Sequence, residues 1–227
     1  MELVVPRCRS LTDLFSQAAS SDLEVLADLI TDNGKGRVAL DGSIKAIILK
    51  RRKNGNLQSI PDVLEAEIRA FGGNSWANLV RSEGVNYKEI VIDVVEKLGG
   101  KPLADDDIFA LEDIVIKKAI DKYAPDGVKA PTDDSVARSG LLGHIVQRLV
   151  AASGDVTGAM ASAGVTGVAK IIGAVLLPGP LFSISASQVA GPAFRITIPA
   201  VLQVAKIRRT RFETDFSAYT EGLRTCL

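Results

Sequence analysis

The chain has little of what most enzymes and secreted scaffolds use. One histidine, His144, stands in 227 residues, and the two cysteines, Cys8 and Cys226, lie at opposite ends. A usual zinc site needs four clustered His, Cys or carboxylate ligands, so this set supplies none, and no cofactor motif is legible either. A small secreted disulfide framework is excluded on the same ground. Met1 to Ser10 holds no apolar run of the kind a secretory signal peptide needs, so the expected location is the cytoplasm, with association with the inner membrane as the second option. Aromatic residues are only 5% of the chain and formal charge sums to zero. Residues 156–227 hold seven cations against three acids, a net +4 balanced by −4 in residues 1–155. An asymmetry that small does not point to nucleic acid.

What is present is helix punctuation. Ser21 followed by Glu24 reads as a capping box ahead of Leu23, Leu26, Leu29 and Ile30, with Asn33-Gly-Lys-Gly36 as terminator. Ser43–Lys53 predicts a short helix ending in four cations, where the dipole is negative. Pro61 opens a helix through Val63, Leu64, Ile68 and Phe71, and Asn74 caps another through Trp76. Asn86 is expected to cap a helix through Ile90, Val91, Val94, Val95 and Leu98, with a strand over 89–95 as the lesser alternative because β-branched residues are dense there. Asp105-Asp106-Asp107 leads into a helix through Leu111, Val115 and Ala119, and Leu141 to Leu149 mark another.

Residues 156–205 form the unusual segment: 50 residues with two charges, Lys170 and Arg195. Gly158 to Leu177 is 20 residues, about a bilayer span as a helix. Ala159, Ala163 and Gly167 share a stripe at spacing four, and Ala169–Gly173 repeats it, which lets helix backbones approach closely. Pro178-Gly179-Pro180 breaks the run before a second apolar stretch from Leu181 to Ala205. The pattern predicts a helical hairpin, either buried in a soluble bundle or in contact with a membrane. The cations Lys206, Arg208, Arg209 and Arg211 that follow suit anionic headgroups in the second case. Against insertion stand Lys170, at a central cost of about 2.5–3.5 kcal/mol, and the polar or helix-breaking Gln188, Pro192, Arg195 and Pro199. Arg195, isolated in apolar sequence, needs a partner such as Glu67, Asp93, Asp113 or a lipid phosphate.

Long motifs in fixed order resemble a known family. Leu26-Ala-Asp-Leu-Ile-Thr-Asp-Asn-Gly-Lys-Gly-Arg37, Glu67-Ile-Arg-Ala-Phe-Gly-Gly-Asn-Ser-Trp76 with Gly84 to Ile90, and Ala190-Gly-Pro-Ala-Phe-Arg-Ile-Thr-Ile-Pro-Ala200 are similar to the YaaW-like family of uncharacterised bacterial proteins. The resemblance spans about residues 22–209 and brings no catalytic residues. It carries a link to ubiquinol–cytochrome c chaperones, which would imply membrane-complex assembly.

The expected fold is an all-α multi-helix bundle with an apolar glycine-rich C-terminal helical hairpin. Its expected divisions are a polar helical region 1–124, a linker 125–134, an apolar helical region 135–209 with the hairpin, and a polar tail 210–227. His144 without a nucleophile motif and Asn33-Gly-Lys-Gly36 without Walker spacing are read as ordinary helix and turn residues, and the acids Asp105, Asp106, Asp107, Glu112 and Asp113, without an EF-hand pattern, as a solvated helix start. The expected function is therefore non-enzymatic: association with a protein partner, a second copy or the membrane through Gly158, Ala159, Ala163, Gly167, Lys170, Gly173 and Arg195, with Lys206, Arg208, Arg209 and Arg211 beside them. The alternatives are a membrane-active effector and an assembly chaperone.

Overall fold

The computed structural model describes residues 5–35, 40–72, 85–124, 135–153 and 194–225. Those residues form eight α-helices: α1 (Leu11–Gln17), α2 (Ser20–Thr31), α3 (Gly42–Lys53), α4 (Pro61–Gly72), α5 (Tyr87–Lys97), α6 (Ile108–Tyr123), α7 (Ser135–Ser153) and α8 (Phe194–Thr225). A 3-10 turn, Leu57–Ser59, joins α3 to α4. No strand occurs among the described residues. The β-branched run at 89–95 is helical in α5, because its apolar residues repeat at helical spacing and bury Ile90, Val91, Val94 and Val95 together.

Most helix starts follow the sequence. The Ser10, Asp41, Asn86 and Asp107 side chains each accept from backbone N–H groups of the first turn, Asp107 Oδ1 from the Ala110 N–H at 2.7 Å. The capping box at Ser21 does not form. Helix α2 begins earlier, with Ala19 as its cap residue and no side-chain cap bond. The adjacent Ser20 hydroxyl instead accepts from Gln58 Nε2 at 2.9 Å, and the same amide reaches the Ala18 carbonyl at 3.1 Å. A long-range contact thus organises this helix start. At the other end of α2, Asp32, Asn33 and Gly34 all take positive φ, at 51°, 53° and 82°, and reverse the chain as the glycine-rich sequence implied.

One apolar core runs through the bundle, from Leu14 and Phe15 in α1 to Val201, Leu202 and Ile207 in α8. Described residues from both the 1–124 and the 135–209 regions contribute to it. Helix α8 is the central strut: 32 residues, about 48 Å long, packed against α1, α2, α4, α5, α6 and α7. Its first half is buried almost all round, from Thr197 to Ala205. Its second half becomes progressively exposed and ends with Phe216 and Leu223 about half exposed. No break separates residue 209 from 210, so the expected polar tail is the outer half of the same helix. Only residues 194–205 of the expected hairpin are described, and they belong to α8. The remainder of the hairpin, the whole 125–134 linker and the Asn74 helix lie outside the described residues.

Helix direction follows from the contacts. Arg138, Ser139 and Leu142 of α7 meet Lys206 to Glu213 of α8, while Ile145, Val146 and Leu149 are buried and α8 beyond Phe216 is largely exposed. The two helices are thus antiparallel. Ser153 and Phe194, which flank the glycine-rich segment, lie toward the same end of the bundle, where Lys97 closing α5 sits 5.1 Å from the Phe194 ring centroid.

Candidate functional site

The basic cluster on α8 sits against a row of carboxylates. Lys206 donates to Asp22 of α2 at 2.7 Å, and Gln203 Nε2 reaches the same Asp22 oxygen at 3.0 Å and its carbonyl at 3.1 Å. Arg208 meets Glu112 of α6 at 2.8 Å. Arg209 meets Asp113 at 2.7 Å and donates to the Phe109 carbonyl at 3.0 Å. Arg211 pairs with Asp215 at 2.8 Å one helical turn on, and Asp215 also accepts from Arg9 at 2.7 Å. The four cations expected beside the membrane are thus all engaged within the bundle. Asp113, one carboxylate considered for Arg195, is taken by Arg209. Arg195 itself is half-buried in the first turn of α8.

The Arg208–Glu112 pair is the deepest polar element. Glu112 is fully buried and the Arg208 side chain is 3% exposed. Such a pair persists only when its remaining hydrogen-bonding capacity is used. Here the Tyr87 hydroxyl donates to Glu112 Oε1 at 3.0 Å, and Arg208 also donates to the Arg9 carbonyl. Burial pushes the Glu112 carboxyl up from its usual range, with Arg208 opposing it. Burial and the neighbouring carboxylate push the Tyr87 phenol well up, so it stays a neutral donor. Around this centre two guanidinium groups lie over the Phe109 ring, Arg209 at 3.3 Å and Arg7 at 4.6 Å from its centroid, with Phe212 edge-on at 5.1 Å. Burial lowers the basicity of Arg209, and the nearby Arg138 charge adds to that. Arg9 is raised by its hydrogen bonds to Asp13 and Asp215, and Asp13 is correspondingly held below the usual carboxylate range.

A cleft of about 140 Å³ opens between α7 and α8 beside this centre. It is lined by Arg138, Ser139, Leu142, Lys206, Arg209, Thr210, Phe212 and Glu213. Its donors are cationic and hydroxylic, a set that suits an anion rather than a metal ion. Among the described residues no group of three or more His, Cys, Asp or Glu side chains is placed to hold a metal. Cys8 is exposed and free. His144, on α7, is half-buried, and burial lowers its imidazole below the usual range.

Of the residues expected to mediate association, Gly158, Ala159, Ala163, Gly167, Lys170 and Gly173 lie outside the described residues. Sequence reasoning missed Tyr87, Asp22 and Arg9, and it placed Glu112 in a solvated acidic helix start, whereas Glu112 is fully buried. For Glu112 a signal exists: Ile108, Leu111, Val115 and Ala119 define the inward stripe of α6, and Glu112 falls on it at helical spacing. An acid in that register demands an internal cation. Arg208 falls likewise three residues after Ala205 on the buried face of α8.

No protein-family model matches the chain, and no solved structure gives a significant match. Curated relatives do. A UPF0174 protein of Helicobacter pylori is 26% identical over 86% of this chain and 89% of its own length. A second Helicobacter pylori UPF0174 protein is 27% identical over 66% of this chain and 88% of its own. The UPF0174 protein YaaW of Escherichia coli K12 is 25% identical over 87% of this chain and 92% of its own. These likenesses do not bear on the ubiquinol–cytochrome c chaperone link. Over most of its length the chain is thus similar to the UPF0174 proteins, YaaW among them, as the sequence motifs led us to expect.

Proposed function

We propose that the chain is a non-enzymatic helical interaction protein whose apolar, glycine-rich segment between α7 and α8 associates with a protein partner, a second copy or a membrane. The observation that carries this is the placement of the flanks: antiparallel packing of α7 and α8 holds Ser153 and Phe194 toward one end of the bundle that the described residues form. The cations that follow the segment are engaged by Asp22, Glu112, Asp113 and Asp215. On this reading those cations need no partner of the segment to compensate them, which supports a binding role for the segment itself. No helix among the described residues is long and apolar enough to cross a membrane. Contact with lipid, on this reading, would come from the segment alone.

Fractionation of cells expressing the full chain, followed by a high-pH carbonate wash and cross-linking of each fraction, tests the reading. Retention in the washed pellet with release only by detergent identifies lipid as the partner. Cross-linked species in the soluble fraction that disappear when Gly158, Ala163 and Gly167 are changed to leucine identify a protein partner or a second copy. A monomeric, partner-free soluble chain that those substitutions leave unchanged would overturn it.

A further inference from the structure

The outer half of α8, residues 214–225, is a helix that its own sequence does little to support. Thr214, Ser217, Thr220, Gly222 and Thr225 are weak helix formers. The threonine hydroxyls turn back onto the helix. Thr214 donates to the Thr210 carbonyl at 2.9 Å, Thr220 to that of Phe216 at 2.7 Å and Thr225 to that of Gly222 at 2.8 Å. Such back-bonding adds no stability. Asp215 is tied to Arg9, but past it no hydrogen bond or ion pair among the described residues leaves the helix. The Glu221–Arg224 pair, at 3.5 Å and largely exposed, contributes little. A lone helix of about a dozen such residues is marginal in water, so packing of an apolar face has to supply what propensity does not.

That face is present. Phe212, Phe216, Tyr219 and Leu223 follow one another at separations of four, three and four, the spacing of a coiled-coil seam. At the inner end Phe212 packs edge-on against Phe109 of α6 at 5.1 Å, and Phe216 stacks on Phe212 at 6.1 Å. Outward the cover stops: Phe216 is 50% exposed and Leu223 47%.

The seam is complementary to itself. Its spacing reads the same from either end, so an antiparallel second copy sets Phe216 against Tyr219 and Phe212 against Leu223, using all four residues of both chains. The flanking residues agree with that register. Glu213 and Asp215 come opposite Thr220 and Gly222 of the second copy, so no like charges are opposed. Glu213 also comes within a turn of the second copy's Arg224, an opposite-charge pair that the two-fold axis forms twice. A parallel copy would crowd both bundles at one end of the seam, whereas the antiparallel one places them at opposite ends. Covering the exposed parts of these side chains and their neighbours removes on the order of 1,000 Å² in total, the low end for a specific interface, so the dimer is a weak one.

We infer that the outer half of α8 is the contact between two copies of this chain, paired antiparallel through Phe212, Phe216, Tyr219 and Leu223. The contact does not draw on the apolar segment between α7 and α8.

Sedimentation velocity of the full chain from roughly 1 to 200 µM tests it, with a monomer–dimer equilibrium expected inside that range. Phe216→Glu, which puts a charge in the seam of each copy, should weaken the dimer about tenfold or more, and Leu223→Lys should act in the same direction. Both side chains are half exposed in the single chain, so the fold should survive, which far-UV circular dichroism checks. Leu103→Glu, at an exposed apolar residue off α8, should leave the equilibrium unchanged, as should leucine at Gly158, Ala163 and Gly167. With Cys8 and Cys226 replaced by serine, Glu213→Cys and Thr220→Cys together should lock the dimer on mild oxidation. A chain that stays monomeric at 200 µM would overturn the inference. So would a dimer that folded Phe216→Glu and Leu223→Lys leave intact, including one lost only with the glycine-segment substitutions, which would belong to that segment. A dimer that the double-cysteine chain fails to lock would overturn the antiparallel register.

Discussion

Arg208 of α8 and Glu112 of α6, 96 residues apart in sequence, meet at 2.8 Å inside the core with almost no exposure of either side chain. Removing one partner leaves an uncompensated buried charge, which costs about 3–5 kcal/mol, whereas replacing both by apolar residues is often close to neutral. Arg208→Met alone should therefore destabilise the bundle by about that amount in urea unfolding. The Glu112→Leu, Arg208→Met double variant should recover most of the loss, held back by the Tyr87 hydroxyl that loses its acceptor and the Arg9 carbonyl that loses its donor. Simple additivity of the two single costs would contradict this account of the pair.

Burial should separate the ion pairs of α8 into two classes. Asp22 is 13% exposed at the side chain and serves both Lys206 and Gln203, which is itself buried. Asp22→Ala should cost about 1–3 kcal/mol, because Lys206 loses its carboxylate and the buried Gln203 amide keeps only the backbone carbonyl of residue 22. Glu221 and Arg224 are 69% and 79% exposed, and Glu221→Ala should stay within about 0.5 kcal/mol of wild type. Chemical denaturation midpoints of the two variants make the comparison directly.

Two glycines should respond in opposite directions to alanine. A Cβ at Gly100 would lie 2.7 Å from Val95 Cγ1 and 2.8 Å from Ile114 Cγ2, in the tight passage between α5 and α6. Neither neighbour is free to retreat far, so Gly100→Ala should cost about 1–3 kcal/mol. At Gly42, the first residue of α3, a Cβ meets nothing within 4 Å. Gly42→Ala should gain about 0.4–1 kcal/mol by restricting the unfolded chain. Thermal melts of the two variants should move to either side of wild type.

Acidification should weaken the fold through His144. Burial and the Arg148 charge hold its imidazole below the usual value of 6.5, so the unfolded chain takes up the proton first as pH falls. The contribution is complete above about pH 6.5 and is lost as pH drops through the folded-state value. With the ring more exposed than buried, its size is a few tenths of a kcal/mol. Glu112, raised by burial, acts with the opposite sign, losing its contribution as pH rises through its folded value. It is common to wild type and His144→Gln, so the difference between their urea midpoints from pH 7.5 to 5.5 isolates the histidine. Parallel pH profiles for the two proteins would rule out this role.

Much of the helical framework was legible because its causes are local. Asn86 and Asp107 cap within three residues, Pro61 opens α4, and Asp32 to Gly34 reverse the chain with left-handed backbone. The failure at Ser21 has the reverse character. Gln58, nearly forty residues away, engages the Ser20 hydroxyl and the Ala18 carbonyl and helps to settle where α2 begins.

The α8 cluster shows the same division at the level of the site. Lys206, Arg208, Arg209 and Arg211 stand out in sequence as a basic run after an apolar stretch, but their charge alone does not say whether it faces lipid, solvent or protein. Their partners Asp22, Glu112 and Asp113 lie from 96 to 184 residues away, and only packing of α2 and α6 on α8 brings them together. The cleft with Arg138 arises in the same way, at the crossing of two helices.

From sequence alone came the all-α class, most helix ends, the likeness to the YaaW-like family and the composition of the apolar segment, because capping, periodicity and motif order act over a few residues. Tertiary structure alone decided that 210–225 continues α8, that described residues of both the 1–124 and the 135–209 regions enter one core, and that the basic cluster is bound by carboxylates. Those outcomes depend on pairing across long loops, where the chain offers many possible partners and burial selects the set that leaves the fewest charges uncompensated.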